Sequence, residues 1–152
     1  MPVRVANRGR FLPSNIAGIT VVALLIAGCS SLTVDDHDLE GTRWIAVSVV
    51  GRAPIAGSEP TLRFEGGVVS GSMGCNTYAS QGSATITNGR LRLGTTLMTL
   101  GRCIETGGGD APVMAIESAF STALDAADRI VIRGDQLIIS GEQGELVFER
   151  QP

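Results

Sequence analysis

The chain has 152 residues, with 12 Lys+Arg against 15 Asp+Glu and a formal net charge of −3 at pH 7. That length suits one modest domain, the charge excludes a broad basic footprint for nucleic acid, and 43% hydrophobic with 18% charged residues excludes a disordered chain. All 12 basic residues are arginine, so Ser-Lys dyads, Schiff-base lysines and P-loop lysines are excluded as well.

The first segment reads as a signal. Arg4, Arg8 and Arg10 form a basic start with no acidic residue, and Ile16 to Ala27 is a near-unbroken apolar run. Twelve residues of helix reach only about 18 Å, short of a bilayer core of about 30 Å, so the run fits a signal-peptide core better than a membrane span. It ends in Ile26-Ala27-Gly28-Cys29, an aliphatic residue and two small ones before a cysteine, which resembles a bacterial lipobox. Residues 1–28 are therefore expected to be cleaved as a lipoprotein signal peptide and Cys29 to carry the lipid. The mature chain then has 124 residues and keeps nine arginines against 15 acids, for a net charge of −6. The expected location is the cell membrane, anchored by lipid on its extracytoplasmic side. Residues 29–38, with Asp35, Asp36 and Asp38, read as an acidic tether. It is expected to hold the acidic domain off an anionic membrane surface.

The folded part is expected over residues 39–150. Thr42–Val50 carries Trp44 and reads as an opening strand. Gly66-Gly67 joins Thr61–Glu65 to Val68–Gly71, and Asn88-Gly89 joins Ala84–Thr87 to Arg90–Leu93. Asn-Gly between alternating runs is a strong hairpin signal, because a type I′ turn needs positive φ at both central residues. In Pro112–Ala127, Val113, Ile116, Ala119, Phe120, Ala123 and Leu124 recur at helical spacing. Glu117, Ser118, Ser121, Thr122 and Asp125 are expected on the opposite, polar face, with Asp110 as N-cap. Arg129–Arg133, Gln136–Ser140 and Glu145–Glu149 then read as three further strands. The expected class is α+β: about eight short antiparallel strands in a barrel-like or half-barrel sheet, with the helix between strands 5 and 6.

After Cys29, the cysteines Cys75 and Cys103 form an even pair in an exported chain, where a disulfide is the default. Two buried thiols or a redox pair are the alternatives, though the close spacing of a redox pair is absent. In Ser70–Tyr78, Gly74 and Asn76 tolerate left-handed backbone, so a turn aiming Cys75 at Cys103 is favoured over a small binding loop. Gly107-Gly108-Gly109 lacks the Lys and Ser/Thr of a phosphate loop and reads as a connector. His37, the single histidine, falls in the acidic segment, so the folded body lacks an imidazole base or a His-rich zinc set. Asp35, Asp36, Asp38 and Glu40 offer at most weak cation binding, without EF-hand spacing. Trp44, Phe64, Phe120 and Phe148 read as core; the alternative is that they line a barrel mouth for a lipid or small hydrophobic ligand.

With these residues in place, the chain resembles the META domain family of HslJ-like bacterial envelope proteins. The resemblance rests on Leu39-Glu40-Gly41-Thr42-Arg43-Trp44, on Pro60-Thr61-Leu62-Arg63-Phe64, and above all on Gly71-Ser72-Met73-Gly74-Cys75-Asn76-Thr77-Tyr78. Leu91-Arg92-Leu93, the stretch Thr99 to Cys103 (with Gly101 where the family usually has Met) and Leu146-Val147-Phe148 extend it. It implies a small antiparallel barrel-like sheet with one helix, no cofactor and no catalytic residue. It further implies an envelope protein concerned with stress or with resistance to small toxic compounds. A carrier or sensor that holds a hydrophobic molecule in the barrel is the alternative. A carboxylate-based hydrolase is the remote third class, since the mature acids lie scattered on expected turns and faces.

Overall fold

The structure is a computed structural model and describes residues 33–101 and 111–152. The expected signal peptide, Cys29, Cys103, the Asp110 cap and the Gly107–Gly109 connector lie outside the described residues.

The turn chemistry works as the sequence implies. Asn88 and Gly89 have φ of 52° and 72°, and Gly66 and Gly67 have 61° and 75°. Only side chains such as Gly and Asn enter that region readily, so each pair reverses the chain in two residues. The elements are α1 (Asp36–Leu39), β1 (Arg43–Val49), β2 (Thr61–Glu65), β3 (Val68–Ser72), β4 (Thr77–Ser80), β5 (Thr85–Thr87) and β6 (Arg90–Arg92). They continue as β7 (Thr96–Met98), α2 (Ala111–Asp125), β8 (Ala127–Arg133), β9 (Gln136–Gly141) and β10 (Gly144–Arg150). One antiparallel sheet has the order β5-β6-β8-β9-β10-β1-β2-β3-β4-β7. The α+β half-barrel is as expected, but among the described residues it has ten strands, and α2 follows the seventh. The two strands missing from the sequence reading are β4 and β7. Each is three or four residues long and lies in Thr/Ser/Gly-rich sequence, too short to display an alternation.

Bulges at Ala46/Ser48 in β1 and at Ala127/Arg129 in β8 bend the sheet so that one face becomes concave. At Gly141 the chain runs so close to the Ala126 carbonyl that any Cβ would overlap it. The helix α2 fills the concave side against β9, β10 and β1. Its apolar stripe is as expected: Val113, Ile116, Phe120, Ala123 and Leu124 are all buried. Phe120 packs on Tyr78 and Phe148 with ring centroids 5.6 and 6.1 Å apart. Trp44, Phe64, Phe120 and Phe148 are core, as expected. Trp44 is fully buried; its indole N–H donates to Thr42 Oγ1 at 2.7 Å, and the Arg150 guanidinium covers its ring at 4.4 Å.

The acidic segment corrects the tether reading. Val34 and Leu39 are 1% and 0% exposed, and both belong to the hydrophobic core. Asp36 Oδ1 accepts the Ile86 N–H and Asp35 Oδ1 accepts the Asn88 N–H on the β5–β6 hairpin. The Val34 carbonyl accepts the Gly89 N–H at 2.9 Å. On the other side, Glu40 Oε1 accepts the Gly66 N–H and Gly41 donates to the Phe64 carbonyl on the β2–β3 hairpin. Residues 34–41 thus stitch the edge strand β5 to the β2–β3 hairpin and close the open side of the half-barrel. Composition suggested a solvated tether because the three aspartates look like surface charge. Asp35 and Asp36 instead accept N–H groups of the β5–β6 hairpin, and Asp38 accepts the Asp35 N–H within its own turn.

Candidate functional site

The motif Gly71–Tyr78 folds as β3, a tight turn and β4. Gly74 takes φ of 117°, as its glycine allows, and a Cβ there would press on the Ser58 carbonyl at 2.9 Å. Met73 N–H bonds the Asn76 carbonyl at 2.7 Å and closes the turn. Met73 and Asn76 point inward, 1% and 3% exposed, while Cys75 is half-buried.

Asn76 does not use left-handed backbone; its role lies in the side chain. Its Oδ1 accepts the Gly101 N–H at 2.6 Å and the Thr99 hydroxyl at 3.0 Å. Its Nδ2 donates to Glu117 Oε1 at 2.6 Å and to the Gly101 carbonyl at 3.2 Å. Its backbone N–H donates to Glu117 Oε2 at 2.8 Å. The amide has two donor hydrogens and two acceptor lone pairs, and all four are used. The node ties the β3–β4 turn, the end of β7 and the helix α2 at one buried point.

Glu117 corrects the expectation that the helix's polar residues face solvent, since it is 7% exposed. Helical spacing places it on the border of the apolar stripe, and its acceptors were needed by a turn far away in sequence. A signal was present: the chain pairs an Asn in a Gly-rich turn with one acid inside the helix stripe. Nothing local says that the two meet.

Below the node, Tyr78 is buried and donates its hydroxyl to the Thr61 carbonyl at 3.0 Å. Burial raises its ionisation well above the usual phenol range, because a phenolate would lose its water. Among the described residues, no buried side-chain nitrogen or oxygen lacks a hydrogen-bond partner. The node's polar capacity is therefore spent within the fold, and it reads as a rivet between elements.

The barrel interior is filled by Trp44, Phe120, Phe148, Leu62 and Met73, and of the four aromatics considered for a mouth Phe64 faces open space. An opening of about 680 Å³ lies at the stitched seam. Asp36, His37 and Glu40 flank it from α1, and Phe64, Ala84 and Ile86 face it from the body. His37 is exposed and lies 3.2 Å from Asp38. The four acids weighed for cation binding are divided by the fold. Asp36 and Glu40 accept backbone N–H groups, Asp38 Oδ2 accepts the Asp35 N–H, and a ligand atom from each of Asp35, His37 and Asp38 lies within 4.8 Å of the others at the surface.

Among the described residues, a ten-stranded antiparallel half-barrel wrapped on α2 and closed by its own N-terminal turn defines a small α+β domain class. The profile of the META domain family matches residues 37–152, and the chain belongs to that family. Among solved structures it is similar to an NMR structure of a protein from Burkholderia xenovorans, at 24% identity and a TM-score of 0.64, covering 92% of this chain and 99% of that one. A second NMR structure is similar at 22% identity and a TM-score of 0.62, covering 76% and 94%. These two likenesses carry the fold alone. No curated protein matches the chain significantly.

Proposed function

We propose that the protein is a non-enzymatic lipoprotein of the cell envelope. In this reading, Cys29 carries the lipid on the extracytoplasmic side of the membrane, and the META domain is a rigid body fixed to that surface. The observation that carries the reading is the order of the sequence. A basic start, a short apolar run and Ile26-Ala27-Gly28-Cys29 stand directly before a META domain. A bridge between Cys75 and Cys103, formed outside the cytoplasm, belongs to the same reading. The physiological role is tolerance of envelope stress or of small toxic compounds, and its support is the family alone. Cys29→Ala is expected to abolish globomycin-sensitive processing and membrane retention; retention unchanged by the substitution defeats the reading.

The opening at the seam favours a second reading, a carrier or sensor for a small hydrophobic ligand. Its volume of about 680 Å³ falls within the range of small-molecule sites, and Phe64, Ala84 and Ile86 give it an apolar side. Native mass spectrometry of protein purified from its own host separates the two readings. A stoichiometric small molecule supports the carrier, and a bare polypeptide supports the rigid envelope domain.

A further inference from the structure

Register brings four arginines onto one wall. In β6, Arg90 and Arg92 point outward on either side of buried Leu91. In β8, Arg129 and Arg133 point outward while Ile130 points in. Arg90 and Arg129 stand directly opposite each other across the β6–β8 pair. Like charges facing each other across strands are destabilising unless counter-charge is supplied. Asp125 and Asp128 line a pocket together with Arg90 and Arg92. Among the described residues, none of the four arginines makes an ion pair, whereas Arg63 on β2 pairs with Glu65. Four of the nine arginines of an acidic mature chain thus share a wall, with Asp125 and Asp128 near Arg90 and Arg92 but, among the described residues, within ion-pair distance of none of the four.

The chain leaves the folded body beside this wall. Val34 is fixed to Gly89, the residue before Arg90. Four residues lie between Cys29 and Val34, so the five chain steps reach at most about 17 Å. The acidic segment that seemed able to hold the domain away from a membrane is folded into the barrel. We propose that the Arg90, Arg92, Arg129 and Arg133 wall docks on the phosphate groups of the bilayer that holds Cys29, so that the β6–β8 side of the domain lies against the membrane. Guanidinium pairs with phosphate in bidentate fashion, and the remaining acidic surface is repelled by anionic lipid, so charge sets the orientation. This inference rests on the lipoprotein reading above.

The test uses the mature lipidated chain in vesicles and reads the rate of phenylglyoxal modification at each arginine by peptide mass spectrometry. In vesicles rich in phosphatidylglycerol, the four wall arginines are expected to react about fivefold more slowly than in detergent, with Arg43 and Arg52 unchanged. The protection is expected to relax in phosphatidylcholine vesicles and at high salt. Arg90→Glu with Arg129→Glu is expected to release Arg92 and Arg133 while thermal unfolding stays cooperative. A lipidated chain whose wall reacts equally in vesicles and detergent overturns the docking and leaves the lipoprotein reading standing. A mature chain whose mass carries no lipid on Cys29 overturns both. Equal protection by inorganic phosphate in detergent assigns the wall to a soluble anion and overturns the membrane assignment.

Discussion

Asn76 and Glu117, 41 residues apart in the chain, face each other as two donors and two acceptors: backbone N–H to Oε2 and Nδ2 to Oε1. Both residues are buried, so neither can exchange its partner for water. Asn76→Asp replaces an amide that donates to Glu117 with an oxygen that opposes it. The expected loss is about 3 kcal/mol, or roughly 10 °C in Tm, since a buried group is left without its partner. Asn76→Ser, which keeps one hydroxyl, is expected to lose less. Thermal unfolding followed by circular dichroism checks both, and an Asp variant as stable as the parent contradicts the rivet.

Alkaline pH isolates Tyr78. The chain has one tyrosine and no lysine, so the phenol dominates the titration near pH 10. The folded state holds Tyr78 neutral to higher pH than the unfolded state does. Below about pH 10 both states keep the proton, and this group leaves stability unchanged. Above it the unfolded chain releases a proton that the folded one retains, so stability falls by about 1.4 kcal/mol per pH unit. Urea unfolding from pH 9 to 11.5, with tyrosinate absorbance as a second signal, is expected to show this slope. Tyr78→Phe is expected to remove the slope and to cost about 1 kcal/mol at neutral pH through the lost bond to Thr61.

The stitched seam makes a local prediction. Asp36→Ala and Asp35→Ala free the Ile86 and Asn88 amides from their acceptors on the N-terminal turn. Each is expected to cost about 1–2 kcal/mol. Hydrogen exchange should speed up at Ile86, Thr87 and Asn88 well before it does at Ile139 or Phe148, which sit in the sheet's centre. Uniform exchange across the domain contradicts the stitch.

The cysteine pair is tested through stability. A bridge from Cys75 to Cys103 closes a loop of about 29 residues, and the chain-entropy relation gives it about 3.6 kcal/mol. Cys103→Ser is expected to lower stability by that order without a reductant and to have no effect in its presence. Equal stability of parent and variant under oxidising conditions contradicts the bridge.

Much of the fold was legible because its signals are local. Asn88-Gly89 and Gly66-Gly67 demand positive φ, and the Val113–Leu124 spacing marks a helix face. The strands β2, β9 and β10 were legible in the same way. What stayed hidden is what two distant segments make together. Asn76 looked like turn chemistry, because its hydrogen bonds reach Gly101 and Glu117 through space. Asp35 and Asp36 looked like solvated charge, because the N–H groups they accept belong to the β5–β6 hairpin, 53 and 50 residues on. The β7 strand exists by pairing with β4, and its own three residues carry no pattern. The basic wall is likewise a product of register: Arg90 and Arg129 become neighbours only when β6 lies beside β8.

The most direct measurement is the intact mass of the protein taken from its native membrane. The account predicts a polypeptide that begins at Cys29, carries a diacylglyceryl adduct there, and gains no alkylation until a reductant is added. A chain that starts at Met1 or at any residue other than Cys29, or one without the adduct, contradicts it.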